Sequence, residues 1–103
     1  MTPPDPTSHA PDMLATPAHV IRDLAYQVGY GRERVLQGDW TEGYSRKWIV
    51  NAGLLAETRL RKDHGCKVVS IYANLTTGCR ALLTWSFVDR NGDKFADSIH
   101  PTL

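Results

Sequence analysis

The chain has 103 residues, 12 basic against 11 acidic side chains and a formal net charge of +1. That length supports one domain with a real core and excludes two, and the near-neutral balance excludes a global field that would draw the protein onto nucleic acid or an anionic membrane. No apolar run approaches the ~20 residues that span a bilayer, and the N-terminus has neither the basic nor the apolar region of a secretory signal, so a cytoplasmic protein with no membrane association is expected.

Residues 1–16 carry Pro3, Pro4, Asp5, Pro6 and Pro11 among small polar side chains. So little apolar surface cannot offset the entropy of ordering, and a disordered N-terminal arm is expected, followed by a single domain over 17–103. Thr16-Pro17 has the form of a helix start, with threonine as N-cap and proline at the first helical position, where its missing N–H costs nothing. Ile21, Leu24, Ala25 and Val28 then recur at helical spacing, and Val35 and Leu36 join that stripe if the helix continues to Gln37 and stops at Gly38. Gly29 and Gly31 each cost roughly 1 kcal/mol in a helix interior, and Arg32 falls within the stripe. A kink or break near Gly29–Gly31 is therefore expected in preference to burial of Arg32 against a carboxylate.

Gly38 to Tyr44 reads as a loop, with Ser45 as the next N-cap and Tyr44 and Ile49 at the positions of a hydrophobic staple. The second helix is expected to run to about Asp63, with His64-Gly65 ending it. Its main apolar line is Ile49, Ala52, Gly53, Ala56 and Leu60, with Trp48 and Leu55 on one flank and Val50 and Leu54 on the other. A helix apolar on so many sides touches more than one neighbour. Either it lies between the sheet and the first helix, or Val50 and Leu54 belong to an interface with a partner or a second copy.

From Lys67 to Leu75 the pattern alternates, with Val69, Ile71, Ala73 and Leu75 on one side, and Cys79, Ala81, Leu83, Trp85 and Phe87 do the same in the next run. Thr76-Thr77-Gly78 fits a three-residue hairpin loop that pairs Leu75 with Cys79 and Val69 with Trp85. In the second hairpin, Asp89 paired with Asp93 keeps Phe95 opposite Phe87 and Ile99 opposite Leu83, at the cost of two carboxylates facing each other. The opposite face is mixed, with Tyr72 as its one aromatic residue. The fold class is α+β: two helices, the first broken near Gly29–Gly31, packed on a three-stranded antiparallel meander whose outer edges are open to pairing with another chain.

Signatures of enzymes do not emerge. Gly29-Tyr30-Gly31 has no preceding strand and no third glycine, so it is not a dinucleotide fingerprint. The loop from Asp89 to Asp93 lacks the spacing of a calcium site. His64, Cys66, Cys79 and His100 are suitable zinc ligands by type, but the expected register puts Cys66 on the open face near Val88 and Cys79 on the inner face, which leaves two free thiols and no metal or other cofactor. Two features suit binding. Arg46 and Lys47 open the second helix and Arg59, Arg61 and Lys62 close it, a set that suits phosphate or an acidic protein when it is not merely a solvated helix end. Trp40 and Tyr44, in a glycine-flanked loop, are either interface anchors or a cover for the core.

The expected function is that of a non-enzymatic interaction module, an inhibitor, adaptor or regulatory subunit that binds a protein partner through Trp40, Tyr44, Val50, Leu54 and Tyr72, with a homodimer among the assemblies to be tested. The alternative is nucleic-acid binding through the basic residues of the second helix, with an affinity that falls steeply with salt. A third and weaker option is a small-ligand pocket between helix and sheet.

Overall fold

The computed structural model describes residues 16–103; the arm expected over 1–16 lies, but for Thr16, outside the described residues. Two helices, α1 (Pro17–Leu36) and α2 (Glu42–His64), pack on an antiparallel sheet of β1 (Lys67–Thr76), β2 (Arg80–Val88) and β3 (Lys94–Ile99) in the order β1-β2-β3, an α+β fold.

Thr16 caps α1: its side chain accepts from the His19 backbone N–H, and the His19 ring accepts from the Thr16 N–H, so two donors at the helix start are satisfied. The helix then passes through Gly29 and Gly31 without interruption, which corrects the expected break. Packing explains the continuity. A β-carbon on Gly31 would lie 3.1 Å from Ile49 and Ser45 and 3.2 Å from Trp48, so this glycine is where α2 crosses closest. Ser45 reinforces the crossing by donating its hydroxyl to the Gly31 carbonyl. At Gly29 a β-carbon would meet the Thr102 carbonyl carbon at 3.3 Å, because the C-terminal tail lies across the helix there and buries Pro101. Nor does Arg32 pair with a carboxylate among the described residues. Its Nε donates to the Cys79 carbonyl at 3.0 Å, tying α1 to the first hairpin.

Gly38 takes the left-handed conformation just past α1, and the N–H groups of Asp39 and Trp40 return to the Arg34 carbonyl. Helix α2 starts earlier than the sequence suggests. Its N-cap is Thr41, whose side chain accepts from the Tyr44 N–H at 3.1 Å, while Ser45 is fully buried in the first turn. Tyr44 is consequently inside the helix and is not one half of a staple.

The first hairpin is shifted by two residues from the expected register: Leu75 faces Ala81 and Ile71 faces Trp85, so the loop is Thr77-Gly78-Cys79. Gly78 and Cys79 both have positive φ, 80° and 59°. The contact with Arg32 holds Cys79 in the loop instead of the strand, an influence from α1 that hairpin rules do not contain. A shift of two leaves every side chain on its expected face. The second hairpin has the expected register, with Phe87 opposite Phe95 and Leu83 opposite Ile99. Its facing carboxylates are not left opposed, since Asp89 Oδ1 accepts from the N–H groups of Asn91 and Asp93 at 2.9 Å.

A bulge between Lys67 and Ser70 changes the start of β1. Val68 has φ 52° and is 76 % exposed, and the added half-turn sends Cys66 into the core, which corrects its expected place on the open face. Burial pushes the Cys66 thiol above its ordinary value of 9.0; the Asp89 carboxylate adds to the rise and Arg90 opposes it. The fold therefore favours the neutral thiol. Its contribution to stability is complete below the unfolded value and is lost as pH rises through the higher folded value. Denaturant midpoints should accordingly decline above about pH 9, with Cys66→Ala flattening that decline. A thiol reagent should label Cys79 in the native protein and Cys66 only on unfolding.

Helix α2 lies over β1 and α1 packs against α2 and β2, so the core of Val20, Leu24, Val28, Ile49, Leu60, Leu75 and Leu83 sits under the helix pair. Strand β3 extends beyond that cover. The edges are less open than expected. Arg61 donates to the Val69 carbonyl at 2.9 Å and Asn74 Oδ1 accepts from the Leu75 N–H on β1, while Asp97 Oδ1 accepts from the Ser98 N–H on β3. Each contact occupies a backbone group that an added strand needs.

Candidate functional site

Aromatic side chains gather where the end of α1, the connecting turn and the start of α2 meet. Trp40 is the hub: its ring lies 5.5 Å from Tyr30 and 4.9 Å from Tyr44, both edge-on, and 5.0 Å from Trp48. Tyr26 stacks on Tyr30 at 6.4 Å, one turn back along α1. The Arg34 guanidinium lies 5.3 Å from the centre of the Tyr30 ring and pairs with Asp39 at 2.7 Å. Trp40 thus folds back on the helix pair, half-buried, whereas Tyr26 and Tyr44 are 58 % and 52 % exposed.

The same face continues between the helices as a groove of about 500 Å³ lined by Tyr26, Gln27, Trp48, Asn51, Leu55 and Arg59. Leu55 is 62 % exposed. Trp48 Nε1 and Arg34 Nε are buried and have no hydrogen-bond partner among the described residues. A buried donor without an acceptor costs roughly 1–3 kcal/mol, a cost that packing of the ring cluster has to offset. The face is built of rings, amides and two guanidiniums, Arg34 and Arg59, paired with Asp39 and Asp23.

The other expected partner-binding residues do not join this face. Val50 and Leu54 are exposed on the flank of α2 that carries Glu57 and Arg61, whose guanidinium reaches the Val69 carbonyl of β1. The helix touches both α1 and β1, yet these two side chains are left uncovered. Tyr72 is on the open face of the sheet, where its hydroxyl accepts from Asn74 at 3.3 Å amid Thr84 and Ser98, themselves 2.9 Å apart.

The basic residues of α2 are dispersed. Arg59 pairs with Asp23 at 3.3 Å across the helix pair, Arg61 with Glu57 at 3.0 Å, and Arg46 approaches Glu42 at 4.0 Å. Arg46 and Lys47 are about 22 Å along the helix axis from Arg61 and Lys62 at ~1.5 Å per residue. They form two separate groups, each partly neutralised by its own carboxylates.

Among the described residues no group of three or more His, Cys, Asp or Glu is placed to hold a metal ion. Of the four metal-type residues, Cys66 is in the core, Cys79 is in the first hairpin loop and the His100 ring bonds the Ala81 carbonyl at 2.8 Å. No helix among the described residues is long and apolar enough to cross a membrane.

Trp48 was not foreseen as part of this face, whereas Tyr26 and Tyr30 fall by their spacing on the polar side of the first helix, which already suited an interface. The signal existed in the spacing by four of Trp40, Tyr44 and Trp48 and of Tyr26 and Tyr30, which puts each set on one side of a helix. It was masked by assigning residues 38–44 to a loop. Comparison with known proteins adds no assignment: no protein-family model, curated protein or solved structure matches the chain.

Proposed function

We propose that this chain is a non-enzymatic interaction module, of the inhibitor, adaptor or regulatory-subunit kind, that binds a protein partner through the aromatic face of its helix pair. One observation carries the reading: Tyr26, Tyr44 and Leu55 stand exposed on a rigid base of Tyr30, Trp40 and Trp48. Tyrosine, tryptophan and arginine supply most of the binding energy at interfaces, because they desolvate large areas with few rotatable bonds.

Affinity capture from the native host with the full chain, followed by titration of the captured protein, tests the proposal. The Tyr26→Ala, Tyr44→Ala double variant should weaken binding by at least about 2 kcal/mol, roughly thirtyfold, with little change in thermal stability. Capture that is indifferent to this variant but lost in Val50→Ser, Leu54→Ser moves the interface to the other flank of α2. Capture indifferent to both removes the proposal. Light scattering on the same variants shows whether the partner is a second copy of the chain.

A further inference from the structure

A second concavity lies on the opposite side of α1. The sheet is wider than the helix layer, so the inner face of β3 and the neighbouring part of β2 meet only the N-terminal half of α1, leaving a groove of about 480 Å³. Its walls are Ile21 and Ala25 from the helix and Trp85, Phe87, Phe95 and Ile99 from the sheet. Phe95 is 46 % exposed although it stacks on Phe87 with ring centres 5.2 Å apart, so an apolar ring is held rigidly toward open space. The volume falls in the range of small-molecule sites, and the walls are strands and a capped helix, with no loop that must be ordered on binding.

Charge at the rim selects among apolar occupants. Arg22 is exposed, lines the groove and has no hydrogen bond or ion pair among the described residues. The acidic residue at the rim, Asp89, already uses one carboxylate oxygen to accept from two backbone N–H groups of the second hairpin. A guanidinium with no partner among the described residues, beside an almost wholly apolar trough, fits a ligand with one anionic end and a hydrocarbon body. An added β-strand fits less well, because Asp97 already holds the outward Ser98 N–H of this edge.

We infer that this groove is a binding site for an amphipathic monocarboxylate, with its chain along Phe87, Phe95, Ile99 and Ile21 and its carboxylate on Arg22. The inference is independent of the aromatic face, which lies elsewhere on the helix pair. Binding of octanoate, decanoate and dodecanoate, each below its micellar concentration, is measured by calorimetry on the full chain. Affinity should rise about fifteenfold for each two methylenes added, at roughly 0.8 kcal/mol per methylene, until the chain outgrows the groove. Decanol should bind about tenfold more weakly than decanoate, and decyltrimethylammonium more weakly still. Arg22→Gln, a change at an exposed position that leaves the core untouched, should reduce decanoate to the affinity of decanol while decanol itself is unchanged. Phe95→Ser should abolish both. Several results would overturn the inference: no saturable binding by the full chain, whether residues 1–15 or a second copy fill the groove; an affinity independent of chain length; equal binding of the cationic amphiphile; or decanoate binding that Arg22→Gln leaves intact.

Discussion

Gly31→Leu is expected to lower stability by about 3 kcal/mol or more and to loosen the contact between α1 and α2, as read by denaturant midpoint and near-UV circular dichroism. The first carbon beyond the backbone already meets Ile49 and Ser45 at 3.1 Å and Trp48 at 3.2 Å. Ile49 and Ser45 are fully buried, so neither can give way without opening the core. A larger side chain must part the helices, and parting them strands the Ser45 hydroxyl now bonded to the Gly31 carbonyl. Gly29→Ala is the control. It gains the same helix propensity, roughly 1 kcal/mol, but meets a single segment, the backbone of Thr102 and Leu103 at 3.3–3.6 Å, which has to give by only a few tenths of an ångström. The outcome should be neutral or slightly stabilising. Equal destabilisation by the two alanine variants, Gly29→Ala and Gly31→Ala, would mean that the contact with the Thr102 backbone restricts α1 as tightly as the crossing with α2 does.

Leu83→Ala is expected to cost about 2–5 kcal/mol. Leu83 is fully buried on the central strand, faces Ala73 and Ile99 in its neighbours, and lies beneath the helices, so the space left by its side chain cannot close. Leu54→Ala and Leu55→Ala remove the same atoms from positions 57 % and 62 % exposed and should stay within about 0.5 kcal/mol of the parent. Thermal unfolding of the three variants separates core leucines from surface leucines. A cost near that of Leu83→Ala at Leu54 or Leu55 would show that a second copy covers that flank in solution.

These contrasts mark how far the fold was legible. The meander could be read because a strand with one buried face repeats its apolar residues every second position, and the pairing of Phe87 with Phe95 follows from keeping bulky residues together. Thr16-Pro17 and Gly65 marked helix ends by chemistry confined to a few residues. The errors have one common cause. Gly29 and Gly31 read locally as breakers, but one accommodates the C-terminal tail and the other a crossing helix. Ser45 read as a cap, but its hydroxyl is taken by a carbonyl fourteen residues earlier, leaving Thr41 to cap α2. Cys79 read as the first residue of a strand, but Arg32 holds its carbonyl in the loop. Each involves a partner distant in sequence, which no local propensity contains.

The candidate sites divide in the same way. Trp40 and Tyr44 stood out by composition, yet their assembly with Tyr26, Tyr30 and Trp48 depends on the angle at which α2 meets α1. The groove at Arg22 had no specific local signal, because Phe95 and Ile99 look like core residues until the helix layer is seen to end short of β3. By itself, the sequence determined the element types, the strand faces and the α+β class, since these follow from periodicity and from capping and turn chemistry within a few residues. Only the tertiary structure decided that α1 stays whole, where the first hairpin turns, that Cys66 is buried, and which aromatic residues share a face, because packing distances and side-chain bonds between remote residues outweigh local preferences of about 1 kcal/mol.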